Sequence, residues 1–232
     1  MRSRSIFAMI AAVGLVAPGA VAAQDDMRPG VAVMQFDNGG SFGQDAENFD
    51  ALRVGLQQMM ITEFAANPGL RVVERSQISA LLSEQDLGAS GRVDDATAAT
   101  IGRIVGARFM VFGSFLDFYG DMRIDLRIIN TETSEIVRTE NVRDDRENLY
   151  SMITQLALSV TANLDLPALP QAIRQEREAR EVPAEAIQYY SRAILYADRG
   201  NSDRAAELYS RALEVFPNYT EAAEGLQQLH QS

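Results

Sequence analysis

Apolar and polar residues recur along this chain with two different periods, and the switch points between them lay out its elements. The clearest stretch is 122–129, where Met122, Ile124, Leu126 and Ile128 are apolar and Arg123, Asp125 and Arg127 are charged. A period of two places one face of a strand on a core and the other in water. Tyr119-Gly120-Asp121 turns this strand back onto a preceding one at 108–118, and 130–134 joins it to a third at 135–142. The three make an antiparallel meander. Residues 31–36, between Pro29-Gly30 and Asp37-Asn38-Gly39-Gly40, read as a buried strand, and 70–73 as a short one. Helical spacing appears at 45–66, where Phe49, Leu52, Leu56, Met59, Met60 and Phe64 form one stripe ended by Asn67-Pro68-Gly69. It recurs at 77–85 (Ile78, Leu81, Leu82), and after an Asp94 or Asp95 cap in a helix carrying Ile101, Ile104 and Val105 and closed by Gly106. A last helix at 146–164 aligns Leu149, Ile153, Leu156, Val160 and Leu164.

Two prolines at 167 and 170 mark a linker, so 165–182 reads as linker plus a charged helix. Residues 183–232 resemble a single tetratricopeptide repeat with a capping helix at 220–229. Tyr189, Ala193 and Tyr196 lie on a first helix, Gly200-Asn201 at a turn, Ala205, Tyr209 and Ala212 on a second helix, and Pro217 closes the unit. One repeat cannot bury both of its faces, so it must pack on the 171 helix, the main domain, another copy or a partner. Tyr189, Tyr196 and Tyr209 fit the packing pattern; Tyr190 and Tyr219 fall off it and are expected to be exposed. The predicted fold class is α+β: a mixed sheet with a three-stranded antiparallel meander packed by helices, spanning 30–164, then a small all-α helical repeat.

The stretch 69–115 reads strand, helix, loop, helix, strand. Its wording, VVERSQISALLSEQ, LGASG and IGRIVGARFMVFGS, resembles the family of CsgG, the curli secretion component of Gram-negative outer membranes. The resemblance begins at Val31-Ala32-Val33-Met34-Gln35-Phe36 and runs to about Leu164. Channels of that family insert two long β-hairpins per subunit into the membrane. The matching places here are the 119–121 turn and the 142–147 junction, and neither has room for strands of about 9–11 residues. The expectation is a family member that is not a channel.

Residues 1–23 read as a secretory signal: Arg2 and Arg4, an apolar run at 6–16, then Pro18-Gly19 and a small-residue cleavage site after Ala22 or Ala23. The run is too short to span a bilayer. The expected location is the periplasm. The chain has no cysteine, which excludes disulfides and the lipid anchor of the CsgG lipoproteins. It has no lysine either; the formal charge of −11 becomes −13 once Arg2 and Arg4 are removed, with 19 arginines against 32 acids. So acidic a chain repels nucleic acid and anionic membranes.

Chemistry-bearing groups are sparse. Gly39-Gly40-Ser41-Phe42-Gly43 is a formal G-x-S-x-G string, and His230 is the one histidine. The string is built of ordinary turn formers after the first strand, and His230 is third from the end, so a structural reading is preferred to a serine hydrolase. One histidine without cysteine argues against zinc. Asp37, Asp45, Glu47 and Asp50 lack calcium-loop spacing and read as helix N-terminal acids. Gly88-Ala89-Ser90-Gly91 reads as a connector, not a phosphate cradle. Phe109, Phe112, Phe115 and Phe118 read as the core strand rather than an exposed docking edge. No cofactor is expected.

The expected function is a non-enzymatic adaptor, or assembly or secretion factor, for an envelope or curli-like surface structure. It would bind envelope or secreted proteins through the repeat or a sheet edge, with Tyr190, Arg192, Arg199 and Tyr219 as candidate contacts and a homo-oligomer left open. The lipoprotein activators of cell-wall synthases have a related fold, so a regulator of a peptidoglycan synthase is the alternative. A hydrolase using Ser41 and His230 is the distant one.

Overall fold

A computed structural model describes residues 26–41, 46–84 and 95–231. The candidate signal segment, the Gly88–Gly91 connector, Phe42-Gly43, Asp45 and Asp94 lie outside the described residues. The chain is α+β, with one mixed sheet and eight helices among the described residues. Strands β1 (Gly30–Val33), β3 (Arg71–Val72), β4 (Phe109–Phe118), β5 (Asp121–Asn130) and β6 (Glu135–Asp145) stand in the order β3-β1-β4-β5-β6. β1 pairs in parallel with β3 and β4, whereas β4, β5 and β6 form the antiparallel meander that the alternation predicts.

The run expected as one strand over 31–36 breaks after Val33. A second short strand, β2 (Asp37–Asn38), pairs further along β4. Contacts distant in sequence hold the break. Gln57 Nε2 donates to the Val33 carbonyl at 2.8 Å, Arg53 Nε donates to the Phe36 carbonyl at 3.2 Å, and the Phe36 N–H donates to the Arg53 carbonyl. The Phe36 ring lies over Gly113, where an added Cβ would fall 2.3 Å from it.

Helices α1 (Ala46–Ala65) and α4 (Leu149–Asn163) cover one sheet face, burying Val31, Val33, Phe115, Met122, Ile124, Leu126 and Ile128. Helices α2 (Arg75–Glu84) and α3 (Asp95–Ile104) close a second, smaller core over Ala32, Met34, Met110 and Ile129. The four phenylalanines of β4 divide between these faces, because spacing by three alternates sides on a strand of period two. Phe109 and Phe115 are buried, Phe112 is half-buried, and Phe118 is 58% exposed. β6 is the outer strand, largely exposed, with a bulge at Val137 and charges along it, features that discourage edge pairing.

Helix α1 buries more than the single expected stripe. Ala51, Val54, Gly55 and Ile61 are enclosed as well, because a second set of helices packs on its far side. α5 (Gln171–Ala179) lies on α4; α6 (Ala184–Asp198) crosses α1; α7 (Ser202–Val215) and α8 (Thr220–Leu229) follow in turn. One hydrophobic cluster runs from the sheet through α1 into Ile187, Ala193, Tyr209 and Ala222. The C-terminal helices therefore share the main core. At the α1–α6 crossing, a Cβ on Gly55 would fall 1.9 Å from Ser191 Oγ and 2.5 Å from its Cβ.

That contact makes Gly55→Ala destabilising. Helix propensity alone would favour alanine by about 1 kcal/mol, but overpacking costs about 1–3 kcal/mol. Urea denaturation should show a net loss that Ser191→Gly largely restores. A Gly55→Ala protein more stable than wild type would rule out the close crossing.

Candidate functional site

The residues expected to contact a partner lie where the C-terminal helices meet the sheet domain. Tyr190 and Tyr219 are not exposed: they retain 4% and 2% of their accessible surface, with ring centroids 4.9 Å apart. Both rings lie in one layer between the repeat and the main core: Tyr190 meets Tyr209 of α7 and Tyr219, and the two border Met59 and Glu63 of α1 and Tyr150 of α4, where the repeat pattern alone would place water. Burial raises the phenolic pKa of both, and that of Tyr209 to about 12.

Arg192 and Arg199 project from α6 toward the N-terminal end of α1. Arg192 Nη2 lies 3.3 Å from Glu47 Oε2, Tyr196 Oη donates to Glu47 Oε1 at 2.8 Å, and Arg199 Nη2 donates to Asp50 Oδ2 at 3.0 Å. The Tyr196 hydrogen bond, with Arg192 beside it, holds the Glu47 carboxyl below its ordinary range. Arg75 on α2 makes two hydrogen bonds to Asp198 on α6. Of the candidate calcium acids, the three that are described are thus paired with cations: Glu47 and Asp50 as above, and Asp37 and Asp50 also flank Arg53. Among the described residues no acidic or histidine cluster could hold a metal.

A second, deeper cluster joins α1, α4, α5 and α8. Arg180 donates to both Glu221 oxygens at 2.7 and 2.6 Å, and its guanidinium lies 5.4 Å from the Tyr150 ring centroid and 5.7 Å from that of Tyr219. Arg177 sits between Glu63 at 3.5 Å and Glu221 at 3.6 Å, while Tyr150 Oη donates to Glu63 Oε1 at 3.1 Å. Burial pushes Glu63 up despite Arg177. Burial also opposes ionisation of Glu221, yet the Arg180 hydrogen bonds hold that carboxyl below its usual value.

Ser41 and His230 are not brought together. Ser41 Oγ accepts the Asp117 N–H at 3.1 Å beside β4, and His230 is exposed at the end of α8; no hydrogen bond joins them.

Two concave surfaces stand out among the described residues. A groove of about 560 Å³ runs between α4, the linker and α5. Leu158, Ala162, Leu166 and Leu169 line it with Arg174 and Arg177, and Thr154 Oγ1 is buried there without a hydrogen-bond partner. A trough of about 940 Å³ lies on the opposite sheet face, beside α2. Sequence reasoning missed both, because each depends on where helices distant in sequence come to rest.

Residues 19–121 match the family model of the curli production assembly/transport component CsgG. The chain carries a CsgG-like domain. The match ends at the first residue of β5, so β6, α4 and the C-terminal helices lie beyond it. No curated protein matches the chain. Among solved structures, the chain is similar to the LpoB C-terminal domain from Salmonella enterica, with 21% identity, 51% of this chain and 83% of that chain covered, and a TM-score of 0.35. It is similar to E. coli LpoB, with 17% identity, 61% and 82% covered, and a TM-score of 0.38. For the PelC dodecamer from Paraburkholderia phytofirmans the figures are 16%, 60% and 90%, and 0.37.

The buried cluster that fastens the C-terminal helices to the CsgG-like domain has a defined pH response. A raised folded-state pKa means that Glu63 adds stability below its unfolded value, and this is lost as pH rises through the folded value. Glu63→Gln keeps an acceptor for Tyr150 and removes the buried charge. Thermal melts at neutral pH should show the variant at least as stable as wild type, its advantage shrinking on acidification. Glu63→Ala, which leaves Tyr150 and Arg177 short of a partner, should lose about 1–3 kcal/mol. A Gln variant as damaged as the Ala variant would refute this.

Proposed function

We propose that this protein is an exported, envelope-associated adaptor or assembly factor of the CsgG type. It works by holding other proteins and not by catalysis, and it serves a cell-envelope or curli-like surface structure. The observation that carries the reading is the CsgG-like domain matched over residues 19–121. The geometry supports one seat for a partner over the others. The side of α6 expected to receive one is filled by α1, and β6 carries a bulge and charges, so the α4–α5 groove is the better seat. Its apolar floor at Leu158, Leu166 and Leu169 suits aliphatic side chains, and the Arg174–Glu178 pair along its wall suits polar ones. The proposal gives the chain no channel role, because β4 and β5 are joined by only Tyr119 and Gly120. Among the described residues no helix is long and apolar enough to cross a membrane.

The experiment combines fractionation with photocrosslinking in living cells. The processed chain is expected in the periplasmic fraction. A photoreactive residue at Leu169 should give one discrete adduct, weakened by Leu158→Glu, while the same probe at the exposed Arg211 gives none. Cytoplasmic retention of an unprocessed chain, or equal labelling from both positions, would sink the reading.

A further inference from the structure

The second sheet face is only partly roofed. Helices α2 and α3 cover Ala32, Met34, Met110 and Ile129 at one end. Further along β4 the same face carries Leu116 and Phe118, 37% and 58% exposed, and the hairpin ends on Tyr119, 78% exposed. Beside this apolar stripe β5 presents a ladder of alternating sign. Asp121 stands opposite Phe118, Arg123 opposite Leu116, Asp125 opposite Ser114 and Arg127 opposite Phe112.

The tip is built to hold its aromatic residues out. Tyr119 (φ 55°) and Gly120 (φ 95°) take the left-handed conformation of a two-residue hairpin turn, where asparagine and glycine are the ordinary residues and a bulky one is strained. Asp117, wholly buried, accepts the Gly120 N–H at 3.0 Å and pairs with Arg146 at 3.2 Å, and the Arg146 N–H donates to the Gly120 carbonyl at 2.7 Å. Phe118 and Tyr119 meet edge to face with centroids 5.1 Å apart.

We infer that this face pairs with a second copy of the chain, the two sheets stacking face to face across a two-fold axis. The ladder carries the argument because its signs are self-complementary. An axis crossing the strands level with Ile124 and Phe115 reverses each strand upon itself. Asp121 then lies over Arg127 of the second copy, Arg123 over Asp125, and Phe118 over Phe112. Within its own sheet Arg123 pairs with Asp125, Asp121 pairs with Arg143, and the Arg127 guanidinium lies 5.1 Å from the Phe112 ring centroid; each of the four then meets an opposite charge across the interface. Sheets packed in this way lie about 10 Å apart, so each aromatic tip enters the other copy's trough, which Phe112, Arg127, Ser79 and Leu82 border. The contact is isologous and closes at two copies.

Light scattering on the processed full chain tests the pairing across a concentration series at low and high salt. Twice the chain mass is expected, with weaker association as salt rises. Arg123→Glu or Asp125→Arg places like charges across the axis twice per dimer, and each should weaken self-association roughly tenfold or more. In an equimolar mixture of the two variants, a mixed pair again sets opposite charges against each other at both crossings, and the double mass should return. Tyr119→Asn suits the turn and should stay folded by circular dichroism while remaining monomeric. A wild-type chain that is monomeric throughout overturns the inference. So do single variants that pair as wild type does, or folded single variants whose mixture stays monomeric.

Discussion

Helix α1 is the member around which the other layers close. It touches the sheet on one side, α4 on another and α6 on a third, so an element of 20 residues carries few positions free to face water. Such a helix has no dominant apolar face, since most of its circumference is interior. Its one glycine sits where α6 comes nearest, and the absence of a Cβ there lets the two backbones approach. The CsgG-like domain and the C-terminal helices are consequently joined through shared side chains instead of through the linker alone.

Around that crossing the polar contacts fall into two kinds. At the surface, Glu47, Asp50 and Asp198 meet Arg192, Arg199 and Arg75, pairs that fix direction more than they add free energy. Deeper in, Glu63 and Glu221 share Arg177 while Arg180 rests among aromatic rings. Removing one member of such a buried set leaves the others short of a partner, so the set specifies one arrangement of α5 and α8 even where its net contribution to stability is small.

The meander was legible because β5 faces core on one side and water on the other, so its period appears directly in Met122, Ile124, Leu126 and Ile128. The limits of α1, α6 and α7 were legible from their punctuation, including Asn67-Pro68-Gly69 and Gly200-Asn201. The interruption after Val33 was not, because Gln57 and Arg53 cause it from a helix, 24 and 17 residues beyond the carbonyls they hold. Tyr190 and Tyr219 were misread for a related reason. A repeat pattern states which positions face the neighbouring helix of the repeat, and it is silent about a foreign helix laid across the other side. Phe112 and Phe118 were assigned with Phe109 and Phe115 to a single strand core, although the strand period sends the two pairs to opposite faces.

The contacts between the layers share one chemistry. Every cation in them is a guanidinium, since the chain contains no lysine. A guanidinium is a planar fork that offers a carboxylate two parallel hydrogen bonds, whereas an ammonium group offers a point charge. Arg180 on Glu221 and Arg75 on Asp198 use that fork, so the seams between layers fix the angle at which helices meet as well as their distance. They also present no side-chain amine, so reagents and enzymes that acylate lysine find nothing along these seams to modify.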